Sequence, residues 1–222
     1  MEERYYRELL FAAVRGYSER IGKSIGELSA DDEEEIVGFA RGNGFRAYHF
    51  KKKDVLPRVN KVIGFLKSIY FENLLDVGSG RGVFLFPFLE NFPYVEATSV
   101  DILDKRVEML SDIKNGGIDR LNVTKADICT QPFPDKSFDV VTLLEVLEHI
   151  PDVKKAIASA VKMAKKYIVV SVPSKEDNNP EHIHLLTKNL LTEYFNECGV
   201  TKLHFDGVNG HLLMIATINR GE

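Results

Sequence analysis

Hydrophobic residues follow one spacing in the first third of the chain and another in the rest. Up to about residue 70 the spacing is helical. Tyr6, Leu9, Leu10, Ala13, Val14 and Tyr17 recur every three or four positions and predict an amphipathic helix. Ser24 and Glu27 stand at capping-box spacing and predict a short helix. Ser29 precedes the run DDEEE, and acidic groups suit the positive end of a helix dipole, so another helix is expected to start there. Residues 56–69 predict a fourth, with Val59, Val62, Ile63 and Leu66 on one face and Pro57 in its first turn.

Past residue 70 short apolar runs alternate with amphipathic stretches. NLLDVG (73–78), VEATSVD (95–101), LNVTKAD (121–127), FDVVTLL (138–144) and YIVVSVP (167–173) read as strands. FDVVTLL is the most apolar and is expected at the centre of the sheet. Helices are predicted over 82–90, 103–113, 153–164 and, capped by Thr187, to about 198. KLHFDGV and HLLMIAT flank Asn209-Gly210, a tight-turn pair, and predict an antiparallel hairpin. Repeated strand–helix units predict an α/β fold: a Rossmann-like, doubly wound, mostly parallel sheet, closed by an antiparallel hairpin strand. The change near residue 70 divides the chain into an N-terminal helical segment or cap, 1–70, and a sheet domain, 71–222.

A chain of 222 residues, 44% hydrophobic, can bury a sizeable core. The net charge of −4 gives no overall argument for a nucleic-acid binder. Cys129 and Cys198 stand far apart, in no metal-ligand spacing, and read as reduced. The N-terminus carries charge from its second residue, and no apolar run is long enough to span a membrane. A soluble, cytoplasmic protein is expected.

The chemistry-bearing residues gather at strand ends. Asp76-Val-Gly-Ser-Gly-Arg-Gly82 follows the first predicted strand, and Gly78 and Gly80 permit a tight turn with close backbone approach to a ligand. The dinucleotide fingerprint needs a glycine at position 83, which is Val83; the third glycine is Gly82. No Gly-Lys-Ser/Thr follows, which argues against a phosphate loop. Asp101 ends the second strand, where a carboxylate can accept from both hydroxyls of a ribose. Asp127 ends the third, within reach of an adenine amino group. One such residue is most simply a turn or cap; three in succession at the carboxyl edge mark a ligand site.

With these motifs the sequence resembles the class I S-adenosylmethionine-dependent methyltransferases, of the methyltransferase type 11-like kind. LLDVGSGRG resembles their first motif, with Asp76, Gly78, Ser79, Gly80 and Gly82 in place. Asp101 and Ile102 in VDI match the ribose-binding position, and Asp127 and Ile128 in KADI the adenine-contacting one. FPDKSFDVVTLLEVLEHIPD resembles the segment through the fourth strand, which adds Glu145 to the cofactor residues. The likeness covers roughly residues 70–218; MAKKYIVV replaces the Lys-Pro-Gly-Gly turn of many relatives. It implies S-adenosylmethionine as cofactor and in-line transfer of its methyl group to a nucleophile. The enzyme's task is then to hold the acceptor close and exclude water.

The acceptor side rests on LLEVLEHIPD (143–152) and NPEHIHLLT (179–187). Three readings stay open. Glu145, Glu148, His149, His182 and His184 orient loops and cap helices; or His149 beside Glu148, or His182 or His184, takes a proton from a hydroxyl acceptor; or Glu145, Glu148 and His149 with one later histidine hold Mg²⁺ or Mn²⁺. The last pattern resembles the small-RNA 3′-terminal ribose 2′-O-methyltransferases. The catalytic set is taken as Glu145, His149 and His184, with no residue assigned to a metal. The expected acceptor is a small molecule, with nucleic acid as the alternative partner; a non-catalytic S-adenosylmethionine-binding protein is the reading from another class. Arg46, His49, Lys51, Lys52, Lys53, Arg58 and Lys61 form a basic stretch that could meet a phosphate or the cofactor carboxylate.

Overall fold

The computed structural model describes residues 5–52, 55–176 and 178–218. Three helices come first: α1 (Arg7–Arg20), α2 (Glu33–Gly42) and α3 (Pro57–Lys67). The alternating region then runs β1 (Asn73–Val77), α4 (Leu85–Asn91), β2 (Glu96–Asp101), α5 (Asp104–Asn115), β3 (Leu121–Lys125), β4 (Phe138–Leu144), α6 (Val153–Met163), β5 (Ala164–Pro173), α7 (Lys188–Glu197), β6 (Lys202–Val208) and β7 (His211–Thr217). The seven strands form one sheet in the order β3-β2-β1-β4-β5-β7-β6. β1 to β5 pair in parallel, and β7 runs antiparallel to both β5 and β6. Asn209 (φ 43°) and Gly210 (φ 85°) close the hairpin with two left-handed residues, as a tight primed turn requires.

The order reverses between β1 and β4. From β1 the chain winds outward through β2 and β3; from β4 it winds the other way. The crevice outside the carboxyl ends of strands at such a reversal is where doubly wound sheets bind ligands. Asp76 sits opposite Thr142, and Val77 opposite Leu143, so the two strands end at one level. The exits of β1 and β4 therefore face one another across the crevice.

Two apolar layers sandwich the sheet. On one face Leu74, Val140 and Val169 pack with α3, α4, α5 and α1; on the other Leu75, Val141 and Val170 pack with α6 and α7. The N-terminal helices thus share one continuous core with the sheet. α1 lies on α5 at backbone contact. A Cβ on Gly16 would stand 2.0 Å from the carbonyl oxygen of Asp112, and one on Gly116 would stand 1.8 Å from that of Ala12. Arg20 clamps the buried Asp112 carboxylate from the end of α1, with Nε and Nη2 donating at 2.9 and 2.8 Å. Gly16→Ala is expected to destabilise the chain by about 2 kcal/mol through overpacking, measured by urea unfolding. Gly64, on α3, has open space where a Cβ would go. Gly64→Ala is expected to stabilise by roughly 0.5–1 kcal/mol, because alanine loses less backbone entropy in a helix.

Several element limits differ from the sequence pattern for local reasons. The helix expected from residue 82 starts at Leu85, because Gly82 adopts φ 79°, outside the helical region. β3 stops at Lys125, and Asp127 instead caps a 3₁₀ turn, Ile128–Thr130. No helix forms at Ser24–Glu27. Gly22 and Gly26 both take φ 68°, and Ser24 Oγ accepts from the Gly26 N–H at 3.1 Å to make a local turn. At the start of α2, Asp32 holds the position before the helix, and its Oδ2 accepts from the N–H and hydroxyl of Ser29. Among the described residues, no helix is long and apolar enough to cross a membrane.

Candidate functional site

The turn after β1 is built from left-handed glycines. Gly78, Gly80 and Gly82 have φ of 67°, 55° and 79°, a region any side chain would strain. A Cβ on Gly78 would meet Val146 Cγ2 at 2.6 Å, and one on Gly82 would meet the Phe86 ring at 2.4 Å. At Gly80 the nearest atom would be the Gly78 carbonyl oxygen at 3.7 Å, so the space over Gly80 is open to a ligand. Gly78 donates to the Val100 carbonyl at 2.7 Å, which ties the turn to β2. Ser79 faces inward: its hydroxyl donates to the Asp76 carbonyl and accepts from Ser99 Oγ at 2.7 Å.

Asp76 lies under this turn and is 2% exposed. Its Oδ1 accepts from Thr142 Oγ1 at 2.7 Å, while Oδ2 has no partner among the described residues. Burial pushes this carboxyl up to about 6, against an ordinary value near 3.8. The folded chain therefore binds that proton more tightly than the unfolded chain does. Stability from this group falls as pH rises between about 4 and 6, and the full penalty, about 3 kcal/mol, stands above that window. Asp76→Asn is expected to be more stable than the parent at pH 8 and similar at pH 3.5, by urea unfolding without ligand. An equal difference at both pH values would contradict the assignment.

Asp101 closes β2 and is 8% exposed. Its Oδ2 accepts from the Gly80 N–H at 3.2 Å and its Oδ1 from the Leu103 N–H at 2.9 Å. One carboxylate thus straps the glycine turn to the loop after β2. Ile102, 62% exposed, presents an apolar surface beside it. Farther along the edge, Asp127 Oδ1 accepts from the Cys129 N–H at 2.8 Å, and Ile128 is buried.

At the exit of β4 the structure separates residues that look adjacent in sequence. Glu145 takes φ 57°, uncommon for a residue with a side chain, and breaks the run before the 3₁₀ turn Leu147–His149. Its carboxylate turns toward β5 and β7. Oε1 accepts from Ser171 Oγ at 2.7 Å and lies 3.7 Å from Arg58 Nε; Oε2 lies 2.9 Å from His211 Nδ1. Glu145 therefore does not share one helical face with Glu148 and His149. Those two gather with His182, their ligand atoms all within 4.8 Å of one another, and Glu148 is fully buried. His149 Nδ1 approaches the Glu181 carbonyl at 2.9 Å, so that nitrogen carries the hydrogen and Nε2 keeps a lone pair. His184 stands apart, with Nε2 3.3 Å from the Pro151 carbonyl.

The basic stretch does not form one patch. Lys52 pairs with Glu90, Lys61 with Asp206 and Arg58 with Glu145. Lys53 lies outside the described residues. Ser171 and His211 were not singled out by the sequence pattern. His211 does open an apolar strand that begins, antiparallel, at the edge where β4 and β5 end, and that position was the available signal.

The cradle fits a ligand rich in hydrogen-bond donors. Two carboxylates, one with an unpartnered buried oxygen, frame a turn open over Gly80, with an exposed apolar side chain alongside. Hydroxyls of a ribose and an ammonium group are donors of that kind.

Comparison with known proteins agrees with this geometry. Residues 75–168 match the family model described as a methyltransferase domain. An uncharacterized methyltransferase of Bacillus subtilis, YcgJ, is 30% identical over 47% of this chain and 42% of its own length. The 27-O-demethylrifamycin SV methyltransferase of Amycolatopsis mediterranei is 28% identical over 60% of this chain and 52% of its own. The chain thus spans about half the length of these curated relatives. Among solved structures, a putative methyltransferase of Haloferax volcanii, in complex with the Trm112 methyltransferase activator, superposes with a TM-score of 0.61 at 17% identity. That match covers 86% of this chain and 98% of the other. Residues 75–168 thus resemble a methyltransferase domain, and the chain shares its fold with solved methyltransferase structures.

Proposed function

We propose that this protein transfers a methyl group from S-adenosylmethionine to a hydroxyl or amine of a small-molecule acceptor. The observation that carries the reading is the glycine turn strapped by the Asp101 carboxylate at the point where the strand order reverses. Asp101 would hold the cofactor's ribose, Ile102 and Ile128 would flank its adenine, and the backbone around Gly80 would pass beneath it. Asp127 would accept from the adenine amino group. Bound there, S-adenosylmethionine supplies a methyl group already activated on a sulfonium. The chain's own work is to orient the acceptor, exclude water and take its proton. Glu145, at the exit of β4 and next to Val146, whose side chain packs on Gly78, would be the carboxylate that receives that proton. His149 Nε2 would be a second base on this edge. The small-molecule class is supported by relatives such as the rifamycin methyltransferase.

The test is transfer of labelled methyl from S-adenosylmethionine to a panel of phenols, catechols, alcohols and amines. Transfer above the protein-free control supports the reading; tight cofactor binding with no transfer across the panel supports a non-catalytic binding protein.

A second reading has its own observation. Glu148, His149 and His182 bring three donor atoms within 4.8 Å, and the Glu181 carbonyl orients the His149 ring as metal sites commonly do. They would hold a divalent cation that orients acceptor hydroxyls, with a terminal ribose as the nucleic-acid alternative. Glu145 would not be a ligand in that arrangement, since Ser171, Arg58 and His211 surround its carboxylate. Turnover that survives strong chelation discards this reading.

A further inference from the structure

Arg58, Glu145, Ser171 and His211 come from four separate elements: the first turn of α3, the exit of β4, β5 and the start of β7. Their side chains meet at the carboxyl edge of the sheet, where Val146 joins them to the glycine turn. Glu145 is held there at φ 57°, a strained conformation that persists only where its surroundings over-determine it. Three partners surround its carboxylate. Ser171 Oγ donates at 2.7 Å, Arg58 Nε stands at 3.7 Å, and His211 Nδ1 stands at 2.9 Å, off the line of a good hydrogen bond. The other imidazole nitrogen, Nε2, lies 3.5 Å from Arg58 Nη1. A guanidinium has no acceptor, so Nε2 keeps the lone pair and Nδ1 carries the hydrogen. All three charged or titratable side chains are 20–25% exposed, so the group opens to solvent at the edge.

We propose that Arg58 and His211 are positioning residues for the Glu145 carboxylate, and that the first turn of α3 is thereby a working part of the methyl-acceptor site. This inference rests on the methyltransferase reading above. Arg58 balances the charge of Glu145 and fixes its plane from one side; His211 blocks its rotation from the other. Ser171 holds the shared oxygen in register with β5. The face of the carboxylate left between them accepts only from a donor, which selects an acceptor bearing O–H or N–H. Nothing in sequence spacing announces the contact, since 153 residues separate Arg58 from His211.

The test needs no acceptor. Sinefungin carries an amine where the transferable methyl of S-adenosylmethionine would stand, whereas S-adenosylhomocysteine carries nothing there. Calorimetric affinities for both are measured on the parent chain and on Arg58→Ala, Arg58→Lys and His211→Ala. The positioned carboxylate predicts that the parent prefers sinefungin by at least 10-fold. Arg58→Ala and His211→Ala should lose most of that preference while S-adenosylhomocysteine binding changes less than threefold, and Arg58→Lys should recover part of it. Imidazole ¹⁵N spectra should show His211 protonated on Nδ1 in the parent and mixed between nitrogens in Arg58→Ala. A preference that persists in Arg58→Ala and His211→Ala, or is absent in a parent that binds S-adenosylhomocysteine, overturns the positioning role alone. A parent that binds neither compound overturns the methyltransferase reading on which it rests. Should Arg58→Ala fail to fold, Arg58→Lys and His211→Ala decide the matter by the same ratio.

Discussion

Asp101→Asn is expected to weaken S-adenosylhomocysteine binding by roughly 10²-fold, about 3 kcal/mol, the order expected for losing hydrogen bonds to a charged acceptor. The substitution is nearly isosteric, so the effect isolates charge and acceptor capacity. In the parent one carboxylate serves two purposes. Its oxygens hold the Gly80 and Leu103 N–H groups, and on the proposed reading they would also accept from the ribose hydroxyls. An amide has only one acceptor oxygen, and its NH₂ would face a backbone N–H. The glycine turn then loses its strap and the ribose loses its anchor together. The loss should appear in calorimetry as a smaller binding enthalpy with little change in unfolding temperature, because β2 itself is anchored by its neighbours on both sides. An unchanged affinity would remove Asp101 from the cofactor site.

Glu145→Gln is expected to lower turnover by about 10²–10³-fold with a hydroxyl acceptor, in the range for loss of a general base. S-adenosylhomocysteine affinity should change by less than threefold. Gln keeps the volume and can still accept from Ser171, so β4 and β5 stay in register; what disappears is the negative charge between Arg58 and His211. The contrast between the two variants separates the two halves of the site. Asp101→Asn acts on cofactor affinity, and Glu145→Gln on kcat. A Glu145→Gln chain that turns over at the parental rate would remove Glu145 from the proton step and turn the test to His149 Nε2.

The sheet was legible because its information is local. Apolar runs of strand length, separated by amphipathic helices, imply a parallel sheet, and the Asn209-Gly210 pair implies its closing hairpin. The glycine turn and Asp101 were legible for the same reason: each is the short segment that follows a strand. The acceptor side was only half legible. Glu145, Glu148 and His149 look like one cluster if the backbone is taken as helical, but the positive φ of Glu145 sends its side chain to β5 and β7 instead. A conformation held by tertiary contacts leaves no mark in spacing. The same limit hid His211 and the reach of Arg58, whose partners come from distant elements. Of the two later histidines, His182 joins Glu148 and His149, while His184 is turned to the Pro151 carbonyl. That choice is made by the path of the loop after β5, which its polar composition does not encode. The division at residue 70 marks a real change of pattern, yet α1 and α3 pack into the same core as β1 and α5.

Whether the carboxyl edge between β1 and β4 binds S-adenosylmethionine is decided by titrating the unaltered chain with S-adenosylhomocysteine in a calorimeter. Binding at this edge should give a saturable one-to-one isotherm with a dissociation constant in the micromolar range, about −8 kcal/mol. A flat titration at millimolar ligand, from a chain shown to be folded, would contradict it.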